Sequence, residues 1–447
     1  GIWIIILENN QQRSQNGRRT IRLLTTNVSL DRKTDTAIFS KVVFQPGMQL
    51  LRRPRRTRLK LVRVEKQLAS AIGFFDGNTI KEKRIDYKTM DLVVKVKEAP
   101  TGNIQLGGGY GSYEGLMVNA SISDKNFFGS GINTTLGFEI SKISTNYNLS
   151  FVNPKVWDSM YSFGVSFYKR DYEYVDYSED SLGGSITVGR EFMRYFHGSV
   201  GLGYADNQST INDIANATGI SNTLVNDFLY NDQYSKTSIF TSISFDNTDD
   251  FYTPREGMIA ALNLEYGQLD GDDYNSTIGS GEENGYANIL KTSAKVGLYY
   301  GLEDWIDYDL ILRVKGRATM VNGDDDKYIP IAERLFLGGI GSVRGYDPYS
   351  ISPTTDLGER IGGTHRASGS IEASIPLSEA AKMRLAFFYD YGMIGEDSFN
   401  EITRSSTGVV VEGQSGLGPI NLVFAYPIDE QEGDQTAIFE FSMGSRF

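Results

Sequence analysis

From residue 103 onward, polar and apolar positions fall into segments of roughly ten residues that alternate in polarity and end in glycine, asparagine or aspartate. Alternation of period two puts successive side chains on opposite faces of a strand, so each segment can be tested by parity. In KMRLAFFYDYG, residues 382–392, Met383, Leu385, Phe387, Tyr389 and Tyr391 share one face, while Arg384, Ala386 and Asp390 lie on the other. In RASGSIEASIP, 366–376, the residues Ala367, Ile371, Ala373 and Ile375 oppose Ser368, Ser370, Glu372 and Ser374. In DLILRVKGRATM, 309–320, Arg313, Lys315 and Arg317 oppose Leu310, Leu312, Val314 and Ala318. One face suits lipid and the other a polar lumen. Such interior charge would be costly in a small packed core and is ordinary in a wide, wet barrel.

Sixteen such segments can be counted, near 103–111, 115–123, 131–140, 144–152, 159–171, 180–190, 195–207, 236–247, 257–268, 285–300, 306–320, 366–376, 382–392, 404–414, 419–427 and 435–447. An even number of antiparallel strands is the rule for bacterial barrels. The interruptions at 208–235, 269–284 and 321–365 then fall at one end as extracellular loops. The turns NP at 153–154 and YTPREG at 252–257 fall at the other, periplasmic end. No apolar run approaches the roughly 20 residues of a membrane helix; IWIIIL at 2–7 is far too short.

Residues 1–102 read differently. A segment at DTAIFSKVVFQPG, a helical stretch ending LASAIGFF at 68–75 and a strand DLVVKVKEAP at 91–100 make a small α+β module, with residues 1–26 unassigned. Charge divides the chain at the same place. Residues 1–100 hold 21 Lys+Arg against 9 Asp+Glu, and the remainder 23 against 47. The run LRRPRRTRLKLVR at 51–63 lacks the interleaved aromatics of a nucleic-acid surface and reads as a basic helix face near anionic head groups. Nucleic acid is therefore not expected as a partner.

Other chemistry is sparse. The chain has no cysteine, which excludes disulfides and thiolate metal sites. Its two histidines, His197 and His365, lie far apart without a Glu-x-x-His pattern, so neither a metal centre nor a catalytic triad can be assembled. The glycine clusters lack the Gly-Lys-Ser/Thr ending of a phosphate-binding loop. No enzyme activity and no cofactor are expected.

Several phrases, in order along nearly the whole chain, resemble the outer-membrane assembly family of BamA, the superfamily of POTRA domains and a sixteen-stranded barrel. VKVKEAPTG followed by GGGYGSYEG resembles the junction of the last POTRA domain with the first barrel strand. FYTPREG resembles a mid-barrel periplasmic turn, GGIGSVRGY the VRGF/Y motif of the sixth loop, FFYDYG the strand that follows it, and GLGPINLVFAYPI the penultimate strand. The N-terminal phrase NVSLDRKTDTAIFSKVVFQPG departs from the family by lacking its usual Gly-Asn pair, and only one POTRA domain fits. Together with an opening at Gly1, this reads as a processed or truncated chain.

The fold expected is thus an all-β transmembrane barrel of 16 antiparallel strands over 103–447, with a lumen-folding loop at 321–365, preceded by a small α+β POTRA domain over 27–102. Residues 1–26 are the end of a preceding POTRA domain or a linker. The resemblance implies residence in the bacterial outer membrane, with the POTRA domain in the periplasm. It also implies an insertase that folds other barrel proteins by lateral opening of the seam between first and last strands. Its partners would be unfolded outer-membrane barrels, periplasmic chaperones, outer-membrane lipoproteins of an assembly complex and the lipid bilayer. Two rivals stay open: a two-partner-type polypeptide secretion pore of the same superfamily, and a passive diffusion porin.

Two groups of residues carry these expectations. In the first, Val343, Arg344, Gly345 and Tyr346 belong to a loop that, by the resemblance, returns into the lumen. Parity independently turns Glu372 and Asp390 inward as carboxylates for Arg344, a directional pairing that would latch the loop. The alternative is an exposed arginine with no role. In the second, the seam, Asn103, Ile104, Gln105, Leu106, Gly107, Gly108, Gly109 and Tyr110 face Phe439, Phe441, Met443, Gly444 and Phe447. The glycines of 107–109 either weaken the strand or mark close packing.

Overall fold

The computed structural model describes residues 27–31, 36–43, 75–84, 89–98, 101–111, 113–174, 176–211, 233–250, 254–271, 286–324, 327, 329–378, 383–415 and 418–443. The chain divides into two compact units. In the first, β1 (Asn27–Asp31), β2 (Thr36–Val43), β3 (Phe75–Arg84) and β4 (Thr89–Glu98) form an antiparallel sheet in the order β1-β2-β4-β3. The strand expected at 91–100 overlaps β4, and the unclassified segment DTAIFSKVVFQPG holds β2. Strand β3 is absent from the sequence reading because FDGNTIKEKR shows no apolar alternation; pairing with the central β4, as at Ile80 opposite Val94, holds it. Phe75, expected to end a helix, opens this strand instead. The rest of that helical stretch, and the basic run at 51–63, lie outside the described residues.

The second unit carries a single sheet of sixteen strands in strict chain order, each antiparallel to the next where the register is defined. Its first half is β5 (Gly102–Gly111), β6 (Gly115–Asp124), β7 (Asn133–Ile140), β8 (Ser144–Asn153), β9 (Tyr161–Glu173), β10 (Tyr177–Met193), β11 (Phe196–Ile211) and β12 (Gln233–Asp246). Its second half is β13 (Gly257–Asp270), β14 (Ile289–Gly301), β15 (Ile311–Gly323), β16 (His365–Ser378), β17 (Met383–Gly395), β18 (Ile402–Ser415), β19 (Gly418–Pro427) and β20 (Phe439–Met443). Every one of the sixteen expected segments overlaps one strand.

The boundaries shift for identifiable reasons. Strands β10 to β13 run past the point where apolar alternation stops, because ladder bonds need only backbone and polar side chains can pair too, as Ser181 Oγ does with Asn207 Oδ1 at 2.7 Å. Ile306, expected to open a strand, instead ends a helical turn, Glu303–Ile306, closed by Asp307 in the left-handed region at φ 52°. Residues 435–437, expected in the last strand, bind the long loop instead, through Asp347 N–H to the Gln435 carbonyl and Ala437 N–H to the Gly345 carbonyl.

The parity expected from sequence holds on the wall. On β17, Phe387, Tyr389 and Tyr391 are exposed, whereas Ala386, Phe388 and Asp390 are buried. On β15, Leu312 and Val314 are exposed and Arg313 is buried. The apolar core therefore does not lie between layers of secondary structure. It is made where loop 324–364 meets the inner wall: Leu335, Leu337, Val343, Tyr346 and Ile351 of the loop cluster with Tyr234, Ile289, Val321 and Ile394 of the strands.

Because the chain has no cysteine, single-cysteine spin labels report this register directly. A label at Phe387→Cys is expected to be relaxed strongly by lipid-dissolved oxygen and one at Ala386→Cys weakly. The reverse order would mean a register slipped by one residue.

Candidate functional site: a loop held against the lumen wall

The loop returns into the barrel on glycines. Gly338 and Gly345 have φ values of 109° and 90°, which L side chains rarely adopt. A Cβ at Gly338 would fall 2.1 Å from the Asp347 carbonyl oxygen, so glycine is required there by space as well.

This path delivers Arg344 to β16 and β17, where its surroundings follow from register. Ser370 lies opposite Asp390, and Glu372 opposite Phe388, on adjacent inward rungs. The guanidinium engages all four. Nε donates to Asp390 Oδ2 at 2.7 Å and Nη2 to Asp390 Oδ1 at 2.6 Å, a bidentate pair. Nη2 also donates to Ser370 Oγ at 2.7 Å and lies 3.0 Å from Glu372 Oε1. The guanidinium carbon stands 3.7 Å from the centroid of the Phe388 ring. The Arg344 backbone N–H adds a bond to Asp390 Oδ2 at 3.1 Å. Arg344, Glu372 and Asp390 are all buried. Burial alone would favour loss of the Arg344 proton, but Asp390 and Glu372 outweigh it and hold the group more firmly charged.

Neighbouring residues complete the seat. Val343 is fully buried, and a Cβ at Gly392 of β17 would come within 2.4 Å of its Cγ2, so that glycine provides its socket. Tyr346 is buried with its hydroxyl 3.4 Å from the Ser405 carbonyl, and burial pushes its phenol up to about 12. Gly345 N–H donates to Glu440 Oε2 of β20 at 3.2 Å. Glu372 is shared: Lys315 Nζ is 3.0 Å and Arg313 Nη1 3.4 Å from its Oε2, and Arg313 continues to Glu412 at 2.5 and 2.9 Å.

The same loop is tied elsewhere around the wall. Glu333 accepts from Lys236 of β12 at 2.7 Å and from Lys291 of β14 at 3.4 Å. Burial raises the Glu333 carboxyl, but the two lysines more than offset this and keep it below the usual carboxylate range. Arg360 N–H bonds Asp176, in the connection between β9 and β10, at 3.1 Å. The loop thus touches the wall at β9–β10, β12–β14, β16–β18 and β20.

The structure brings all six expected loop and carboxylate residues, Val343 to Tyr346 with Glu372 and Asp390, into one cluster. Parity could have found Phe388, an aromatic on a face of otherwise small or charged residues. Nothing in the sequence marks Glu440 or Glu333 as loop partners. The seam residues are placed differently. On β5, Ile104 and Leu106 are 78% and 72% exposed, and Asn103, Gln105 and Gly107 share the opposite face. A Cβ at Gly107 would lie 2.2 Å from Asn119 Oδ1, so this glycine makes room for a neighbouring side chain. Gly108, Gly109 and Tyr110 continue the strand. On β20, Phe439 packs on Phe424 with centroids 5.1 Å apart, and Phe441 and Met443 oppose Leu422 and Ile420. Gly444 and Phe447 lie outside the described residues. Among the described residues no ladder joins β5 to β20.

Comparison with known proteins agrees with this architecture. Residues 126–447 match the family model of the Omp85 superfamily domain. The chain is 29% identical over 370 residues to the outer membrane protein assembly factor BamA of Nitratidesulfovibrio vulgaris, covering 80% of this chain and 43% of that relative. It spans about half the length of the curated BamA relatives it matches. Among solved structures, BamA from Haemophilus ducreyi lacking POTRA domains 1–3 superposes with a TM-score of 0.68 at 22% identity, over 85% of this chain and 77% of that one. CdiB from Acinetobacter baumannii has the same fold at a TM-score of 0.56 and 14% identity, over 85% and 67%. A matching domain that covers most of the barrel and includes the lumenal loop makes this chain a member of the Omp85 superfamily.

Proposed function

We propose that the chain is the barrel-bearing part of an outer-membrane protein assembly factor, which folds and inserts other β-barrels by templating their strands on the seam between β5 and β20. The observation that carries this reading is the position of β5 and β20 at the two ends of the sheet order, with no ladder between them among the described residues. Among the described residues β20 pairs with β19, from Ile420 opposite Met443 to Phe424 opposite Phe439, and its other edge is left unpaired by any described ladder. Unpaired backbone groups cost several kcal/mol each in lipid, so an edge that opens there becomes a template for any incoming strand. No nucleotide chemistry is required, since the ladder bonds themselves supply the driving force.

In this reading the chain sits in the bacterial outer membrane, with residues 27–98 as a POTRA domain on the periplasmic side. Its partners are unfolded outer-membrane barrels, together with chaperones and lipoproteins of an assembly complex. The likeness to BamA relatives supports the role, and the Arg344 cluster supports a loop that stays latched while the seam works. A passive porin fits poorly, because the loop is tied to the wall at four places. A polypeptide secretion pore is the second reading, favoured by the shared fold of CdiB; it requires the loop to leave the lumen.

Reversing Arg344→Glu places a third carboxylate beside Glu372 and Asp390, and breaking a buried pair costs about 3–5 kcal/mol. New protease cleavage within 324–364 is expected, with the barrel intact; unchanged protection would remove the latch role. A disulfide between one cysteine in β5 and one in β20 is expected to abolish insertion reversibly, and full activity in the locked form would exclude lateral opening. The deciding experiment follows how fast an unfolded outer-membrane barrel becomes protease-resistant in liposomes carrying this protein. Acceleration that depends on the substrate's terminal aromatic is expected. Steady ion conductance without acceleration, in the presence of accessory lipoproteins, would favour the pore.

A further inference from the structure

The outward face of β9 and β10 is apolar, with Phe163, Phe167, Leu182, Ile186, Val188 and Phe192 exposed. Charge returns to that face at both ends of the apolar band: Lys169, Asp171 and Asp180 pair with one another at one end, and Arg190 stands at the other. Arg190 has the parity of Ile186 and Val188 and lies opposite Tyr161 in the ladder, so it presents a cation on the wall that meets lipid. Its Nη1 donates to the Tyr161 hydroxyl at 3.0 Å, and its guanidinium carbon is 5.0 Å from the Tyr161 ring centroid. Its Nε is buried without a hydrogen-bond partner. Among the described residues, no carboxylate is within ion-pair distance of Arg190 or of Arg194. Glu191, the adjacent acid, has the opposite parity.

The position along the strand explains how such a cation is tolerated. Arg190 is close to the short turn between β10 and β11, where Arg194 stacks on Tyr195 at 4.8 Å. Tyr195 adopts φ 72°, an outlier for an aromatic residue. Rings gather at this level: Phe192 to Phe196 at 5.8 Å, Phe196 to Phe245 at 4.7 Å and Tyr195 to Phe245 at 6.2 Å. An arginine on the lipid face is costly at mid-bilayer and nearly free at the interface. There its stem lies along hydrocarbon while its head reaches a phosphate, among the rings that favour this depth. Guanidinium groups hold phosphate oxygens bidentately.

We propose that Arg190 and Arg194 bind the phosphate of a phospholipid in the leaflet at the short-turn end of the barrel, with the neighbouring tyrosine and phenylalanine rings packing on its glycerol and upper acyl chain. The site requires only that the outer wall faces lipid, and is independent of the insertion role. It fixes one lipid at β9–β10, several strands from the seam.

Native mass spectrometry of the detergent-released chain, titrated with phosphatidylglycerol and separately with diacylglycerol, tests this. The native chain is expected to retain phosphatidylglycerol and to lose diacylglycerol, and Arg190→Gln combined with Arg194→Gln to retain severalfold less phosphatidylglycerol. Equal retention of the two lipids would mean that the rings alone bind, and would overturn the proposal, as would unchanged retention by the double variant. Heat-modified gel migration reports whether that variant folds. Should it fail to fold, Arg190→Lys keeps the charge without the bidentate geometry: weaker retention is expected, and unchanged retention overturns the site.

Discussion

A guanidinium enclosed inside a barrel is stable only where its donors and its charge are met, and Arg344 satisfies this by spanning two adjacent rungs of the β16–β17 ladder. The rest of the lumen follows from that seat. Loop 324–364 must turn inward to deliver the arginine, which demands left-handed backbone at Gly345. Val343 must find a socket, which Gly392 leaves open. The inward charges Arg313 and Lys315 then share Glu372 with it, so the pair is one member of a network. Removing any one member leaves a buried charge uncompensated, which is why such networks hold one arrangement.

The barrel has an unusual distribution of order as a result. In most folds the apolar core lies between layers of secondary structure. Here the wall is one layer thick with lipid on one side, and the buried cluster is formed by an irregular loop against the inner face. Loop and wall depend on each other. Leu335, Leu337 and Ile351 would be solvated without the strands, and Ile289, Val321 and Ile394 would line an aqueous lumen without the loop.

Much of this was legible in the sequence, and the legible part is what period-two alternation encodes. Parity alone turned Glu372 and Asp390 inward and Phe387, Tyr389 and Tyr391 outward, because a strand fixed on one side by lipid cannot slip by one residue. The resemblance of GGIGSVRGY to a known loop motif then named the arginine that meets them. Where polarity does not alternate, the reading fails. Strand β3 has too few apolar residues to show a face, and β10 to β13 continue beyond the apolar band on backbone bonds and polar side-chain pairs. Glu440 and Glu333 are chosen by where the loop lands, which depends on contacts across the lumen that no local pattern records.

The contact between Gly345 and Glu440 also gives the loop a place in time. The wall partners of Glu333 and Arg360 precede the loop in the chain, at Asp176, Lys236 and Lys291, whereas those of Arg344 and Gly345 all follow it, from Ser370 to Glu440. The Glu333 and Arg360 ties therefore need only strands that precede the loop. Its motif closes once the last strand arrives, 95 residues later. Contacts of such long separation are slow to form. The latched loop is thus a record that the wall has been completed, written by the final strand into the interior of the barrel.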